Sequence, residues 1–171
     1  NKARGTDVSL AFNHALIQLN FSAGLTTGFT YAITNISISG VNNSGTFTYS
    51  NSIGDWTAQD GTASYAYAGD FNGTITDNVL KLSTGSNALM LMPQTVPAGA
   101  EISITYTATA NSTNQVTFNG TKKVAIGGVE WKKGSNICYK LILPTGAEAI
   151  TYSTVVNPWG EEDSQDKTTQ P

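Results

Sequence analysis

The sequence predicts an all-β domain, either a sandwich or a barrel. Apolar and polar residues alternate with a period of two along much of the chain, which is the pattern of a strand with one buried and one wet face. Spacers rich in Gly, Asn, Ser and Pro separate these runs and favour turns. Charged residues make up 12% of the chain, against about 25% in ordinary globular domains. Thr, Ser and Asn replace them, so the composition fits strands and turns better than a helical bundle.

The alternation places the main strands in order along the chain. A first strand is expected over 15–21 and a second over 31–38, where a change of phase predicts a bulge or a break near Thr34 and Asn35. The continuously apolar run 89–92 is expected to form a strand covered on both faces, or one that crosses the core. Three more alternating runs predict strands within 102–108, 137–143 and 150–156.

A chain of 171 residues and 18.0 kDa fits one domain, or at most two very small ones. The folded β-sandwich domain is expected over 7–159. The polar stretch 1–6 predicts a flexible N-terminal segment, and 160–171, which has no apolar residue, predicts a disordered tail. No run reaches the roughly 18 apolar residues that a membrane helix needs.

Composition and motifs argue against several classes of function. A net charge of −3 disfavours a nucleic-acid partner. The single histidine, His14, is predicted to be a hydrogen-bonded, partly buried strand residue, because no nucleophile or orienting group accompanies it. The single cysteine, Cys138, is predicted to be a small buried hydrophobic residue. We therefore expect no catalytic residue, no cofactor-binding residue and no metal ligand, and no enzymatic activity.

Two weaker hypotheses remain beside this expectation. Four aspartates are expected in loops and could converge on calcium or act as hydrolase carboxylates, although their spacing matches no calcium loop: Asp55, Asp60, Asp70 and Asp77. Exposed aromatic rings could bind a sugar by stacking. Trp56, in an expected loop, and Tyr65 and Tyr67, on one strand face, are the candidate ligand contacts. Packing of these rings in the core is the alternative.

Several motifs together resemble the fimbrillin-like proteins of Bacteroidales. The run 10–21 contains the Phe-x-His-Ala-Leu strand of that family, and 33–40 is similar to its second strand. The segment 89–94, ending in Pro-Gln, precedes the strand at 102–106. The sequence Trp-Lys-Lys-Gly at 131–134 and the stretch 155–159 resemble the closing hairpin. The match spans about 8–160 in the family's order.

The resemblance implies a transthyretin-like, Greek-key β-sandwich of about seven or more antiparallel strands. It also implies a fimbrial (pilus) subunit or surface lipoprotein on the outer membrane, acting in assembly by strand exchange or in adhesion. The partners would be other pilin subunits, or host or bacterial surface ligands such as glycans. Membrane attachment would come only through a lipid anchor on a preceding N-terminal region, and this chain would be the C-terminal domain.

The resemblance also suggests a processing site. Arg4 and Gly5 lie in a polar segment where a trypsin-like protease could cut, which in related pilins removes a strand and opens a groove for the next subunit. The tail after Trp159 lacks the alternating apolar residues of a donor strand. A tip, an anchor or a stand-alone surface protein is therefore as well supported as a shaft subunit. A carbohydrate-binding β-sandwich module is the alternative function.

Overall fold

The computed structural model describes residues 14–50 and 53–159, apart from the side chain of Ile53. Within these residues the chain forms strands and no helix, which confirms the predicted all-β fold. The strands are β1 (Ile17–Gly24), β2 (Phe29–Val41), β3 (Ser44–Ser50), β4 (Ile53–Asp60), β5 (Ala63–Ala66), β6 (Ile75–Thr76), β7 (Val79–Lys81), β8 (Leu89–Leu91), β9 (Gln94–Thr95), β10 (Glu101–Ala110), β11 (Gln115–Ala125), β12 (Glu130–Trp131), β13 (Ser135–Ile142) and β14 (Thr151–Pro158).

These strands form two large sheets and two small ribbons. The first sheet has the order β14-β13-β1-β7-β6, and β8 also pairs with β1. The second sheet has the order β11-β10-β2-β5. Strands β9 and β12 form a short ribbon. Strands β3 and β4 form a hairpin that we call the aromatic hairpin.

The two sheets enclose one core, which makes the fold a sandwich. Along β10 every second residue from Ile102 to Ala108 is buried, as the alternating sequence predicts. The Tyr31 hydroxyl, on β2, donates to the carbonyl of Leu143, just beyond β13, at 3.1 Å and so joins the two sheets. Fully buried side chains come from both sheets: Ile17, Leu19, Phe21, Ile36, Ile38, Ile102, Ile104, Tyr106, Tyr139 and Leu141.

Strand β1 lies inside the first sheet, and both of its faces are buried. Phe21 packs in the core, while Asn20 and Ser22 point to the opposite side and are no more than 6% exposed. The Asn20 side-chain amide donates to Oδ1 of Asn136 at 3.0 Å, and the Cys138 thiol lies 3.7 Å from the Ser22 hydroxyl. Cys138 is 2% exposed, which confirms the prediction that this cysteine is buried.

Strands β1 and β13 pair in parallel, whereas the sequence analysis expected antiparallel strands. Parallel neighbours need a long connection. Here the whole second sheet and both ribbons lie between the two strands in the sequence. The side-chain period is two in either arrangement, so alternation alone does not reveal the direction of a partner.

The predicted irregularity in the second strand is present. On β10, Thr105 lies opposite Asn35 and the next residue, Tyr106, lies opposite Ile33. Thr34 is therefore the extra residue of a β-bulge, which shifts the buried positions from odd to even numbers along β2. The bulge keeps Ile33 and Ile36 both in the core.

Two apolar residues are more exposed than the sequence suggests. Met90 is 49% exposed, so the expectation that β8 is covered on both faces is wrong there. It lies across from Gln18 on the side of β1 that faces away from the core. Val156 is 59% exposed although it lies opposite the buried Ile137, because β14 forms the edge of the first sheet.

The expected domain limits fall partly beyond the described residues. The segments 1–6 and 160–171 lie outside them, and so do residues 7–13 of the expected domain. The sandwich is described from His14 to Trp159 with a gap at 51–52.

Replacing Ile104 by Ala should lower the free energy of unfolding by about 2–5 kcal/mol, because it leaves a cavity between the two sheets. Ser103→Ala is the matched control, since Ser103 precedes Ile104 on β10 and faces away from the core. It should change stability by no more than about 0.5 kcal/mol. Urea unfolding followed by tryptophan fluorescence measures both, and equal effects would contradict the assigned strand faces.

Candidate ligand-binding groove

Trp56 lies in strand β4 of the aromatic hairpin, so the expectation that it sits in a loop is wrong. Its cross-strand partner is Phe47, and the two ring centroids are 5.2 Å apart. Tyr49 and Gly54, the next pair on the same face, continue this side of the hairpin. The Phe47 ring lies over Gly54, where an added Cβ would overlap it. Glycine therefore lets one aromatic ring cover the opposite strand.

The aromatic hairpin stands out from the sandwich. Every residue of β3 is exposed, and Tyr49 is 71% and Phe47 41% exposed. The Trp56 residue, on β4, is partly buried instead, and its indole nitrogen is hydrogen-bonded to the rest of the domain. The hairpin thus exposes the aromatic residues of β3, while the indole on β4 is held against the domain.

Three hydrogen bonds attach strand β4 to the rest of the domain. The Trp56 indole nitrogen donates to the carbonyl of Ala15 at 2.7 Å. The Gln59 side-chain amide donates to the carbonyl of Pro93 at 2.6 Å, and the Lys133 ammonium donates to the carbonyl of Gly54. These contacts hold the indole in one orientation against the segment before β1.

A groove of about 320 Å³ lies between the aromatic hairpin and the ribbon of β9 and β12. Its volume falls at the lower end of the range for small-molecule sites, about 300–1,000 Å³. The lining residues are Asp55, Trp56, Gln59, Pro93, Gln94, Thr95, Glu130, Trp131, Lys132 and Lys133.

Two of the lining residues, Gln94 and Trp131, are buried and hydrogen-bonded within the protein. Gln94 is 5% exposed, accepts from the Asn42 amide at 2.8 Å and donates to the carbonyl of Asn42 at 3.2 Å. Trp131 is 1% exposed and donates from its indole nitrogen to the Tyr139 hydroxyl at 3.0 Å. Because these groups are buried and bonded within the protein, they shape the groove and give it a rigid back wall.

The exposed rim of the groove carries charges of both signs. Glu130 and Lys132 are 3.8 Å apart and largely exposed, so their ion pair is weak and leaves both groups accessible. The Asp55 carboxylate accepts from the Trp56 backbone amide at 2.9 Å, which fixes the orientation of this carboxylate. The groove therefore offers acceptors, a donor and one aromatic ring to a ligand.

The other two predicted ligand contacts lie elsewhere. Tyr65 is on β5, and its half-buried ring packs against the core. Tyr67 is 2% exposed, packs edge-on against Phe21, and donates from its hydroxyl to Asn87 at 3.2 Å. The prediction is therefore wrong for Tyr67, whose ring is not available to a ligand. Of the three aromatic candidates, the structure places Trp56 alone in the groove lining.

His14 lies before β1, so the expectation of a partly buried strand residue is wrong. It is exposed, and its imidazole stacks on the indole of Trp159 with centroids 4.1 Å apart and planes inclined by 13°. The Gly134 amide donates to the carbonyl of Leu16 at 3.0 Å, and the Trp159 amide donates to the carbonyl of Gly134 at 3.0 Å. Trp159 is therefore bonded to the residue that directly follows Lys133 of the groove lining.

The remaining predicted positions do not form a site in the described structure. Arg4 and Gly5, the predicted processing site, lie outside the described residues. Asp55 and Asp60 are in β4 rather than in loops, whereas Asp70 and Asp77 are in loop and turn segments. Between His14 and Trp159, leaving aside 51–52, no three side chains are grouped to hold a metal ion. In the same ranges no helix could cross a membrane.

The sequence motifs that resemble the fimbrillin-like family meet around this groove. Pro93 and Gln94 from one motif and Trp131 to Lys133 from another line it directly. The imidazole of His14, from the opening motif, stacks on Trp159 of the closing one. Segments far apart in the chain thus meet at one end of the sandwich. Phe47 and Tyr49 were missed by sequence reasoning, although their alternation with Thr and Ser was a usable signal.

The fold and the groove define a class: a two-sheet β-sandwich protein with an exposed aromatic hairpin beside an open, polar groove. Comparison with known proteins gives the family. The family model for fimbrillin-like proteins matches residues 1–159, so the chain belongs to the fimbrillin-like family. No curated protein sequence matches the chain significantly.

Two solved structures share the fold. A fimbrial protein from Bacteroides vulgatus ATCC 8482 is similar with a TM-score of 0.55 and 15% identity, over 86% of this chain and 55% of the other. A candidate cell adhesion protein from Bacteroides uniformis ATCC 8492 is similar with a TM-score of 0.52 and 17% identity, over 89% of this chain and 53% of the other. The chain thus spans about half the length of these structures.

Removing the stack between His14 and Trp159 should destabilise the domain modestly. In a double-mutant cycle with His14→Ala and Trp159→Ala, we expect a coupling energy of about 0.5–1.5 kcal/mol from stacked aromatic rings. Tyr49→Ala, which removes another exposed ring, serves as the control and should show no coupling with His14→Ala. A coupling energy of zero between His14 and Trp159 would contradict the stacking.

Stability should fall at alkaline pH because of two buried tyrosines. Burial raises the pKa of Tyr139 from its ordinary value of 10.0 to about 12, and burial with repulsion from Tyr31 and Glu148 raises the pKa of Tyr106. The unfolded chain therefore loses these protons first as the pH rises. The free energy of unfolding should be unaffected by these groups below pH 10 and should fall between pH 10 and about 12.

Urea titrations at successive pH values measure this loss. Tyr139→Phe should be less stable at neutral pH, since the Trp131 indole loses its acceptor, but its stability should fall less steeply above pH 10. An unchanged alkaline slope in Tyr139→Phe would contradict the burial of this hydroxyl.

Proposed function

We propose that this chain is a domain of a non-enzymatic cell-surface protein that acts in fimbriae as a structural or adhesive subunit. The observation that carries the proposal is the fimbrillin-like family match over nearly the whole sequence. The shared fold with a fimbrial protein and a candidate cell adhesion protein supports it. Its partners are then other pilin subunits or ligands on host or bacterial surfaces.

The sheet edges support a role in assembly. In the described structure β14 forms one edge of the first sheet and β11 one edge of the second, so each pairs with a single neighbour there. An edge strand offers unpaired amide and carbonyl groups to a strand from another chain. Lys122 and Lys123 lie on β11, and edge lysines disfavour such pairing. Strand β14 carries Val156, which is exposed, and is the better candidate for strand addition.

The position within a fimbria and the mode of attachment belong to the same proposal. Attachment to the outer membrane would use a lipid anchor on a region before this chain. Cleavage between Arg4 and Gly5 by a trypsin-like protease would separate the two parts. The two solved structures are nearly twice as long as the region that they share with this chain, which is consistent with a further domain in the whole protein.

Immunogold electron microscopy of intact source cells tests this function. Antibodies against the purified domain should label the cell surface or fibres that extend from it. Label spaced along fibres indicates a shaft role, and label restricted to their ends indicates a tip role. Cells lacking the gene and an antibody against a cytoplasmic protein are the controls. Label that appears only after cells are permeabilised would refute a surface function.

A further inference from the structure

We propose that the groove beside the aromatic hairpin binds a saccharide, with Trp56 as the stacking platform and the rim charges as partners for its hydroxyl groups. The rim charges are those of Asp55, Glu130 and Lys132, which are among the residues that line the groove. A saccharide would be the ligand class for the adhesive role proposed above. The inference rests on the proposed function, because that function places the domain at the cell surface.

The Trp56 indole offers a surface on which a sugar ring can stack. A pyranose ring has an apolar C–H face, and tryptophan offers the largest flat ring to pack against it. Trp56 lines the groove, and its indole nitrogen donates a hydrogen bond of 2.7 Å to the Ala15 carbonyl, which holds the ring in place. Because the ring is already held in the described state, binding costs little side-chain entropy.

The polar groups that line the groove match the hydroxyl groups of a sugar. Sugar hydroxyls donate and accept, carboxylates accept, and an ammonium group donates. Asp55 is oriented by its bond to the Trp56 amide, and Glu130 and Lys132 are held only by a weak ion pair, so they can reach a ligand. Gln59 adds an amide that its bond to the Pro93 carbonyl holds in place.

The groove is lined by charges of both signs, which favours a neutral polar ligand over an ion. A phosphate or sulfate would lie against the carboxylates of Asp55 and Glu130, and a cation would lie against Lys132 and Lys133. An apolar ligand would bury charged groups without partners. A neutral polyhydroxy ligand uses both kinds of charge together with the indole. Because the groove is open, we expect dissociation constants in roughly the millimolar range for one sugar residue, with avidity in a multivalent display.

A glycan array probed with the whole chain, biotinylated and displayed on streptavidin, tests the site. The array result should be followed by titration of the best glycan, monitored by NMR chemical shifts. We expect a defined set of glycans bound by the wild type. Trp56→Ala should weaken binding about tenfold or more, and Trp56→Phe should weaken it less, since a ring remains.

Isosteric and matched variants guard against loss of fold. Glu130→Gln and Asp55→Asn change charge without changing size and should each weaken binding severalfold with an unchanged unfolding midpoint. Tyr49→Ala removes an aromatic ring of the same hairpin outside the groove lining and should leave affinity unchanged.

Any one of three glycan results would overturn the proposal. These are no glycan bound by the wild type, binding that survives Trp56→Ala together with Glu130→Gln, or binding lost in Tyr49→Ala but kept in Trp56→Ala. Binding to an extended peptide that is equally sensitive to Trp56, with no glycan bound, would also overturn it. Surface labelling of cells is measured independently, so a failed glycan site leaves the fimbrial function standing, and absent surface label refutes that function whatever the array shows.

Discussion

The structure depends on strand β1 and its burial on both faces. β13 pairs with it on one side, and β7 and β8 share the other side. The core face carries Phe21, while the opposite face buries Asn20, whose side-chain amide donates to Oδ1 of Asn136. A buried amide without a partner would cost about 1–3 kcal/mol, so the parallel register between β1 and β13 is fixed by polar as well as apolar contacts.

The groove depends on the same strand through the residues that precede it. The carbonyl of Ala15 accepts from Trp56, and the carbonyl of Leu16 accepts from Gly134. These two backbone groups join the aromatic hairpin to the turn after β12. Behind them, Gln94 and Trp131 are buried and hydrogen-bonded, so the back of the groove belongs to the packed domain. The domain thus has a groove with a buried, hydrogen-bonded back wall, while β14 and β11 form edges of its two sheets.

Sequence reasoning succeeded where the signal is local. The alternation in 102–108 and the phase change at Thr34 predicted a strand and a bulge because each depends on side-chain period alone. It failed where the outcome depends on a distant neighbour. Tyr67 has the same strand pattern as Tyr65, but its hydroxyl is buried against Asn87. The groove itself was not predicted from the sequence. Of the three aromatic residues predicted as ligand contacts, Trp56 lines the groove.

The sequence by itself determined the all-β class, the burial of Cys138, the bulge and the family-like motifs, because composition and period two act within a few residues. The tertiary structure decided the direction of β13 beside β1, the exposure of Met90 and Val156, and the stack of His14 on Trp159. It also brought Asp55, Trp56 and Glu130 to one groove. Those outcomes rest on contacts between segments far apart in the chain, and local propensity does not encode which distant segment comes to lie beside a given residue.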